Sequence, residues 1–455
     1  MISGLTGNFR DPFCVQHEYT GILKIKMKKA VLFLIAAALA AGQDLPESRA
    51  QAGAAAQAPM TLDECVKELT ANNPDLYVAR EGVNAARANL LGSYSPFLPQ
   101  VSASGSASRN NQEVDTGYEA TTAYNAGLGA SQNLFNGFQD IARLNQSRAQ
   151  LSQAEINLQR VKSTLSADVR QAFTELLYAQ DSLVLVETIL GRRKENSALV
   201  EMRFEAGSED KGALLRSQAL YSQATLDVVE SKRQINVTQR NLNKVLGRQD
   251  GIAITVTGAW DHVTPPPPPE FQELAKTTPE YRKANAQCTI AREQIRVVRS
   301  DFFPSWSVSA GYGLSDDDSF IPHDKSWNVG TSIGLDIFNG GQTIFALRAA
   351  HAQLRSTEAQ LTSTANSIFS SLEEKFTAWQ NAVDRVRVQV QLLKAAETRM
   401  EIARIKYSNG LMSFQDWDTI ENELITNQKS MLSTQRNAII IQAEWEKAAG
   451  ISSIP

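Results

Sequence analysis

Residues that commonly catalyse reactions or bind metals are few in this sequence, and they form no recognisable group. The histidines lie far apart: His17, His262, His323 and His351. None of them has a second ligand at the spacing of a metal site. The sequence also has no phosphate-binding glycine loop, no nucleophile elbow and no Cys-x-x-Cys pair. We therefore expect no catalytic residues, no cofactor and no metal.

The cysteines bear on disulfide formation, and the net charge bears on nucleic-acid binding. Cys14 lies in the N-terminal region that we expect to be removed, whereas Cys65 and Cys288 belong to the body of the chain. The latter two are candidates for a disulfide in an oxidising compartment, or for two buried free thiols, which we favour. A net charge of -4, without an arginine-rich face, gives no indication of nucleic-acid binding.

The element that organises the chain is a long predicted helix at residues 342–409, which contain no proline and no glycine. Its apolar residues recur every seven positions in two interleaved series: Ala365, Leu372, Trp379, Val386, Leu393, Met400 and Tyr407, and Leu347, Leu354, Leu361 and Ile368. This spacing is typical of a coiled-coil helix, here about 100 Å long. Such a helix needs partners along its seam, which the rest of the chain must supply.

The partners come from an internal repeat, because the sequence contains two copies of the same structural unit. Phe135-Asn136-Gly137 and Phe338-Asn339-Gly340 are 203 positions apart, as are Gly207 and Gly410. The first repeat is predicted at residues 60–247, with strands at about 98–109 and 121–135, a long helix at about 139–206 and a return helix at about 210–246. The second is predicted at residues 271–450, with strands at about 304–314 and 326–338, a long helix at about 342–409 and a return helix at about 413–449.

The segments outside the repeats have their own predicted roles. Four lysines before the apolar run Ala30–Ala41 predict a signal peptide at residues 1–41, within which residues 1–26 read as an upstream extension before Met27. Residues 42–59 form a flexible linker. Residues 248–270 join the repeats through a short strand and a proline run, and residues 451–455 are a short tail.

The predicted strands alternate strictly between apolar and polar residues, and aromatic residues lie near their ends. Their length of about ten to thirteen residues suits a membrane-crossing strand. A soluble hairpin with one wet face is the alternative, but export of the chain favours membrane insertion. Since one chain offers four strands and open edges do not exist in hydrocarbon, the barrel must be shared between subunits. Two chains would give eight strands and three would give twelve.

The order of signal peptide, hairpin, Phe-Asn-Gly, long helix, glycine turn and shorter helix, given twice, resembles the TolC-like outer-membrane efflux proteins. The resemblance covers roughly residues 60–450. It implies a mainly α fold with membrane β structure: a homotrimer in which each repeat adds one hairpin to a shared twelve-stranded barrel, above a periplasmic α-barrel of long helices. It also implies an outer-membrane channel-tunnel that extends into the periplasm. The channel would export small molecules or proteins as a passive duct in a tripartite efflux or type I secretion complex.

The resemblance also implies roles for particular residues and partners. The glycine turns would form the periplasmic tip, where an adaptor docks: Phe204, Gly207, Tyr407 and Gly410. Asp416 would line and narrow the aperture at that tip. Phe135, Asn136, Gly137, Phe338, Asn339 and Gly340 would make the strand-to-helix turns. The implied partners are two further copies of the chain, a periplasmic adaptor, an inner-membrane pump and outer-membrane lipid.

Two other classes of protein are compatible with long helices and export. A trimeric coiled-coil surface adhesin or scaffold would have passenger repeats and one terminal barrel segment. A periplasmic adaptor would have a compact β-domain interrupting a single helical hairpin. The strand pairs lie inside each of two matched units here, and this arrangement favours the channel. The cargo and the class of pump are not fixed by the sequence.

Overall fold

The computed structural model describes residues 59–114, 117–248, 253–261, 263–317 and 320–455. The predicted signal peptide, residues 1–41, lies outside these described residues, as does the predicted linker apart from its last residue. Cys14, His17 and His262 also lie outside them.

Each repeat contains two short helices, a β-hairpin, a long helix and a returning helix. The first repeat comprises α1 (Leu62–Asn72), α2 (Pro74–Gly92), β1 (Gln100–Val114), β2 (Gly117–Asn136), α3 (Gln139–Glu205) and α4 (Lys211–Leu246). The second comprises α5 (Phe271–Thr277), α6 (Pro279–Ser300), β3 (Ser305–Asp316), β4 (Asp324–Gly334), α7 (Gln342–Ser408) and α8 (Phe414–Ala448). The predicted class of fold, mainly helical with a hairpin in each of two tandem repeats, is confirmed.

Local sequence signals explain where the short helices begin. The Thr61 hydroxyl accepts a hydrogen bond from the Glu64 amide, and the Glu64 carboxylate accepts one from the Thr61 amide, so the two residues form a capping box at the start of α1. Helices α2 and α6 both begin with a proline after a side-chain cap, from Asn73 and Thr278 respectively. Proline suits this position because its missing N–H would have no partner in the first turn.

The four strands form one antiparallel sheet in the order β1-β2-β3-β4. Cross-strand neighbours include Ala103 with Leu128 and Tyr312 with Trp327. Strand alternation then gives one apolar face, which carries Val101, Leu128, Trp306, Tyr312, Trp327, Val329 and Ile333. The opposite face is small, polar and uncharged along the centre of the sheet, where it carries Ser102, Ser104, Ser106, Asn125, Gly127, Gly129, Ser309, Gly311, Ser326, Asn328 and Gly330.

The predicted strands differ from the structure at three places in the chain. The first hairpin is longer than predicted, because β1 and β2 stay paired as far as Val114 opposite Gly117. Strand β4 ends at Gly334 rather than about residue 338, because its partner there, Ser305, is the first residue of β3. The short strand predicted between the repeats is wrong for the described residues 253–261, where only an isolated parallel bridge joins Val256 to Met60.

The helices are arranged so that α3 lies inside the repeat pair. Helices α2 and α4 pack along one side of α3, and α6 and α8 pack along the other, while α7 packs against α6 and α8. The return helices are stacked end to end on the short ones. Gly247 after α4 lies against Asn72 and Asn73 at the start of α2, and Gly450 after α8 lies against Pro279. Among the described helices, none combines the length and the apolar character needed to cross a membrane.

Buried side chains lie along the seams between helices. One cluster of buried side chains lies along α3 and contains Val169, Leu176, Leu242 and Cys65. A second cluster lies along α7 and contains Phe376, Trp379 and Trp445, whose two indole rings stack with centroids 5.1 Å apart. Cys65 and Cys288 are free and buried, which confirms the favoured prediction. Burial raises the pKa of the Cys65 thiol to about 11.

Candidate functional site

The candidate site is the end of the molecule where both long helices turn back, at Gly207 and Gly410. Both glycines have left-handed backbones, with φ of +71° and +70°. The turns close in the same way: the Ser208 amide donates to the Arg203 carbonyl, and the Leu411 amide donates to the Lys406 carbonyl. Residues with a side chain are strained at such φ values, which explains glycine at both positions.

Tyr407 joins the two turns. Its ring is 1% exposed and stacks on Trp417 at a centroid distance of 4.4 Å, with the planes 4° apart. Its hydroxyl donates a hydrogen bond of 2.9 Å to Glu209 Oε1, which belongs to the turn of the first repeat. Burial raises the pKa of Tyr407, and the Glu209 carboxylate raises it further, so the phenol remains a proton donor at physiological pH.

Arg203 of the first repeat makes a second set of contacts with Tyr407. Its guanidinium lies over the Tyr407 ring, 4.6 Å from the centroid, and its Nη1 donates a 2.8 Å hydrogen bond to the Tyr407 carbonyl. Phe204 is 37% exposed and lies outside the buried cluster that contains Tyr407. The structure therefore brings Tyr407 and the two turns together, but it leaves Phe204 at the surface. Sequence reasoning missed Arg203 and Glu209.

Asp416 is exposed in the first turn of α8. Its amide donates to the Ser413 hydroxyl over 3.1 Å, and its carboxylate accepts a 2.7 Å hydrogen bond from that hydroxyl. The carboxylate is thus held at a helix N-terminus, where the helix dipole favours negative charge.

A buried ion cluster, missed by sequence reasoning, lies between α3, α4 and α8. Arg193 of α3 bonds Asp418 at 3.1 Å and Glu421 at 2.6 Å, and all three side chains are at most 7% exposed. Arg216 of α4 bonds the other oxygen of Asp418 at 2.7 Å. The Asn196 amide donates to both oxygens of Glu421, and Arg193 also donates to the Asn422 amide oxygen.

This ion cluster is notable for the burial of its charges and for the position of Arg193 in the sequence. Burial raises the pKa of Glu421, although Arg193 and Arg192 act in the opposite direction. The sequence did contain a signal for this cluster, because Arg193 stands seven residues from both Val186 and Val200 and so occupies a position of the heptad series. The structure buries all three side chains. A charged residue at a seam position of a coiled coil needs a buried partner of opposite charge.

The strand-to-helix turns are shaped by glycine and asparagine. Gly137 has φ of +65°, and a Cβ atom there would lie 2.5 Å from the Ser300 carbonyl oxygen. Phe138, the next residue, also has a left-handed backbone, and its ring packs edge-on against Phe135. The Asn136 side chain accepts a hydrogen bond from the Asp140 amide at the start of α3.

The second turn is built similarly. Gly340 and Gly341 have φ of +68° and +85°, and the Asn339 side chain donates to the Thr343 hydroxyl. Phe338 is 85% exposed, unlike the half-buried Phe135. The two equivalent phenylalanines therefore have different surroundings in the single chain.

Comparison with known proteins identifies the class to which this architecture belongs. The model of the outer membrane efflux protein family matches residues 65–248 and 271–450, one match for each repeat. The chain belongs to this family. Its members are outer-membrane efflux channels rather than enzymes, and the channel spans the outer membrane and extends into the periplasm.

Individual relatives are similar over most of their length. The cation efflux system protein CusC of Escherichia coli is 25% identical over 378 residues, covering 81% of both chains. The alkaline protease secretion protein AprF of Pseudomonas aeruginosa is 21% identical over 351 residues, covering 75% of this chain and 72% of AprF. A crystal structure of CusC superposes with a TM-score of 0.78 at 20% identity, covering 89% of this chain and 96% of that one, which shows the shared fold.

Proposed function

We propose that three copies of this chain form one closed channel-tunnel, which passively conducts cargo delivered by a periplasmic adaptor and an inner-membrane pump. The observation that carries the proposal is the open four-stranded sheet with one apolar and one small, polar face. Such a sheet cannot lie in hydrocarbon with the outer edges of β1 and β4 unpaired, because each unpaired backbone group there costs several kcal/mol.

Pairing β4 of one copy with β1 of the next removes both edges. Two copies would give eight strands, whose interior is just wide enough to be filled by side chains. Three copies give twelve strands and leave a lumen lined by the small polar face. A conducting duct therefore favours three, in agreement with the resemblance to TolC-like channels.

The helices support the same closure. Among the described helices of one chain, α7 lies at one end of the row and α2 with α4 lies at the other, so each has an outer side against which no further helix packs. These helices carry large apolar side chains that are about half exposed or more, including Val388, Leu392, Ile402 and Ile405 on α7 and Leu215, Leu226 and Val237 on α4. Contact between α7 of one copy and α4 of the next would bury these side chains. The helices would then join the second repeat of one copy to the first repeat of the next, as the pairing of β4 with β1 does in the sheet.

The small polar face, which would line the lumen, favours conduction without specific recognition of the cargo. Along the centre of the sheet it presents serine, asparagine and glycine, without charges and without large side chains. The names of two relatives point to cations in one case and a protease in the other. We propose that the pump selects the cargo and that this chain provides the path in an efflux or type I secretion complex.

The end with the glycine turns is proposed to be the periplasmic tip and the adaptor-docking surface. The exposed ring of Phe204 and the two turns at Gly207 and Gly410 offer protruding contacts there. Tyr407 instead holds the turns together from inside. We propose that Asp416, exposed in the first turn of α8, contributes one carboxylate per copy to the aperture.

Planar-bilayer recording tests this assignment of channel and aperture. The purified wild-type protein should give discrete openings, and divalent cations should block them from the periplasmic side. Asp416→Asn keeps an acceptor for the Ser413 hydroxyl but removes the charge, so it should weaken that block. Asp384→Asn is the matched control, because Asp384 is an exposed carboxylate of α7 that pairs with Arg387. Equal block of all three proteins would refute the aperture role of Asp416, and a silent wild-type protein would refute the channel.

A further inference from the structure

A groove lies where the β-sheet meets the helices, between the beginning of α3 and the end of α6. It has a cavity volume of about 330 Å³. Phe138, Ile141 and Phe303 contribute apolar walls and are 46–61% exposed. Phe138 packs on Phe135, whose cross-strand neighbour is Trp306 on the apolar face of the sheet. The groove therefore continues that apolar face beyond the aromatic residues that mark a membrane interface.

Charged groups lie at the other end of this groove. Arg299 lines it and has no ion-pair partner among the described residues. Glu293 is only 8% exposed, and its Oε1 bonds Arg296 Nη1 at 2.8 Å. Its second oxygen, Oε2, is buried and has no hydrogen-bond partner in the described part of the chain. A buried carboxylate oxygen without a donor is costly unless a ligand supplies one.

The order of these groups matches one class of ligand. Going away from the sheet, the chain presents Phe303 just beyond the end of α6, and then Arg299, Arg296 and Glu293 on α6. A phospholipid with an ethanolamine headgroup presents acyl chain, phosphate and ammonium in the same order. We propose that this groove binds a phosphatidylethanolamine molecule of the periplasmic leaflet. Its phosphate bonds Arg299, its ammonium donates to Glu293 Oε2, and an acyl chain lies on Phe138 and Ile141.

The second copy of the structural unit shows that this site is not a by-product of the repeat. With the 205-residue offset that relates Pro99 to Pro304, the positions of Glu293, Arg296 and Arg299 correspond to Ala88, Leu91 and Tyr94. The first repeat thus carries none of the three charged groups. The inference rests on the outer-membrane location of the family and is independent of the number of copies in the channel.

Native mass spectrometry of the full-length protein, purified in detergent and given equal amounts of phosphatidylethanolamine and phosphatidylcholine, tests the proposal. The two lipids differ only in the N-methyl groups, which remove every N–H donor. A hydrogen bond to a buried carboxylate should favour phosphatidylethanolamine by about tenfold. Equal occupancy would overturn the proposal, and so would phosphatidylglycerol binding as strongly as phosphatidylethanolamine.

Variants separate the two halves of the headgroup site. Glu293→Gln keeps an acceptor but removes the charge that strengthens the hydrogen bond, so it should lower the ratio of phosphatidylethanolamine to phosphatidylcholine, whereas Arg299→Gln should reduce the occupancy of both lipids. Arg292→Gln is the control, because Arg292 lies on the same helix, pairs with Glu358 and does not line the groove. An unchanged ratio in Glu293→Gln would overturn the role of the carboxylate. The wild-type ratio needs no variant, so it decides the matter even if a variant fails to fold.

Discussion

Removing Arg193 should loosen the junction between the two repeats near the glycine turns. In Arg193→Leu, Glu421 keeps only the Asn196 amide and the more distant Arg192, whereas Asp418 keeps the bond from Arg216. Breaking a buried ion pair by deleting one partner costs about 3–5 kcal/mol, because the other charge stays buried and uncompensated. We expect a loss of that size in the local stability of the contact between α3 and α8.

Hydrogen–deuterium exchange measures this local free energy directly. Peptides that cover residues 414–424 should exchange about 10²- to 10⁴-fold faster in Arg193→Leu than in wild type, since each 1.4 kcal/mol is a factor of ten. Arg387→Leu is the control, because its exposed ion pair with Asp384 should contribute about 1 kcal/mol or less. Replacing Arg193, Asp418 and Glu421 together by leucine should restore most of the protection, because it leaves no unpaired charge among the three.

The effect should depend on pH in a defined direction. Burial raises the pKa of Glu421 in the folded state, so the folded chain binds a proton more tightly than the unfolded chain does. Stability is therefore greatest below the unfolded pKa of glutamate and falls as the pH rises through the raised folded value. Without Arg193 that fall should be larger, so the excess exchange should be smaller at acidic than at neutral pH. Equal protection of Arg193→Leu and wild type at both pH values would refute this reasoning.

Three further perturbations have clear expected outcomes. Tyr407→Phe removes the hydrogen bond to Glu209, worth about 1 kcal/mol, and should raise the open probability of the channel in bilayer recordings. Gly137→Ala should reduce the yield of folded protein in the outer membrane far more than Gly340→Ala, because only the first places a methyl group against a backbone oxygen. Cys65, with its pKa raised to about 11 by burial, should resist alkylation at pH 8 until the protein is unfolded.

The predictable part of the fold is the part that periodic burial determines. The seven-residue series in α7 predicted a long helix with one buried face, and the glycines on either side of it placed its ends to within one residue. The glycine turns were predictable because Gly207 and Gly410 stand at equivalent positions of the two repeats and glycine readily adopts the left-handed conformation that ends a helix. Strand ends were less predictable: β4 ends at Gly334 because β3 offers no partner beyond Ser305, and this depends on pairing rather than on composition.

The side-chain contacts of the candidate site were largely hidden from the sequence. Arg193 and Glu421 are 228 residues apart, and only the packing of α8 against α3 brings them together. The same holds for Tyr407 and Glu209, which come from different repeats. Asp418 and Glu421 are ordinary polar residues in sequence terms, and their burial follows from the position of α8 between α3 and α7. The family resemblance supplied Asp416 instead, on the grounds of its spacing from Gly410.

The central claim is that three chains close one sheet through the edges of β1 and β4. Cross-linking tests it most directly: Val101→Cys on β1 is combined in turn with Val329→Cys, Thr331→Cys or Ile333→Cys on β4, and membranes are oxidised before denaturing electrophoresis. Since β1 and β4 of one chain are separated by β2 and β3, a bond between these positions must join two copies. We predict that at least one register gives a covalent ladder that ends at three chains. A ladder that ends at two, or no cross-link in any register, would contradict the account.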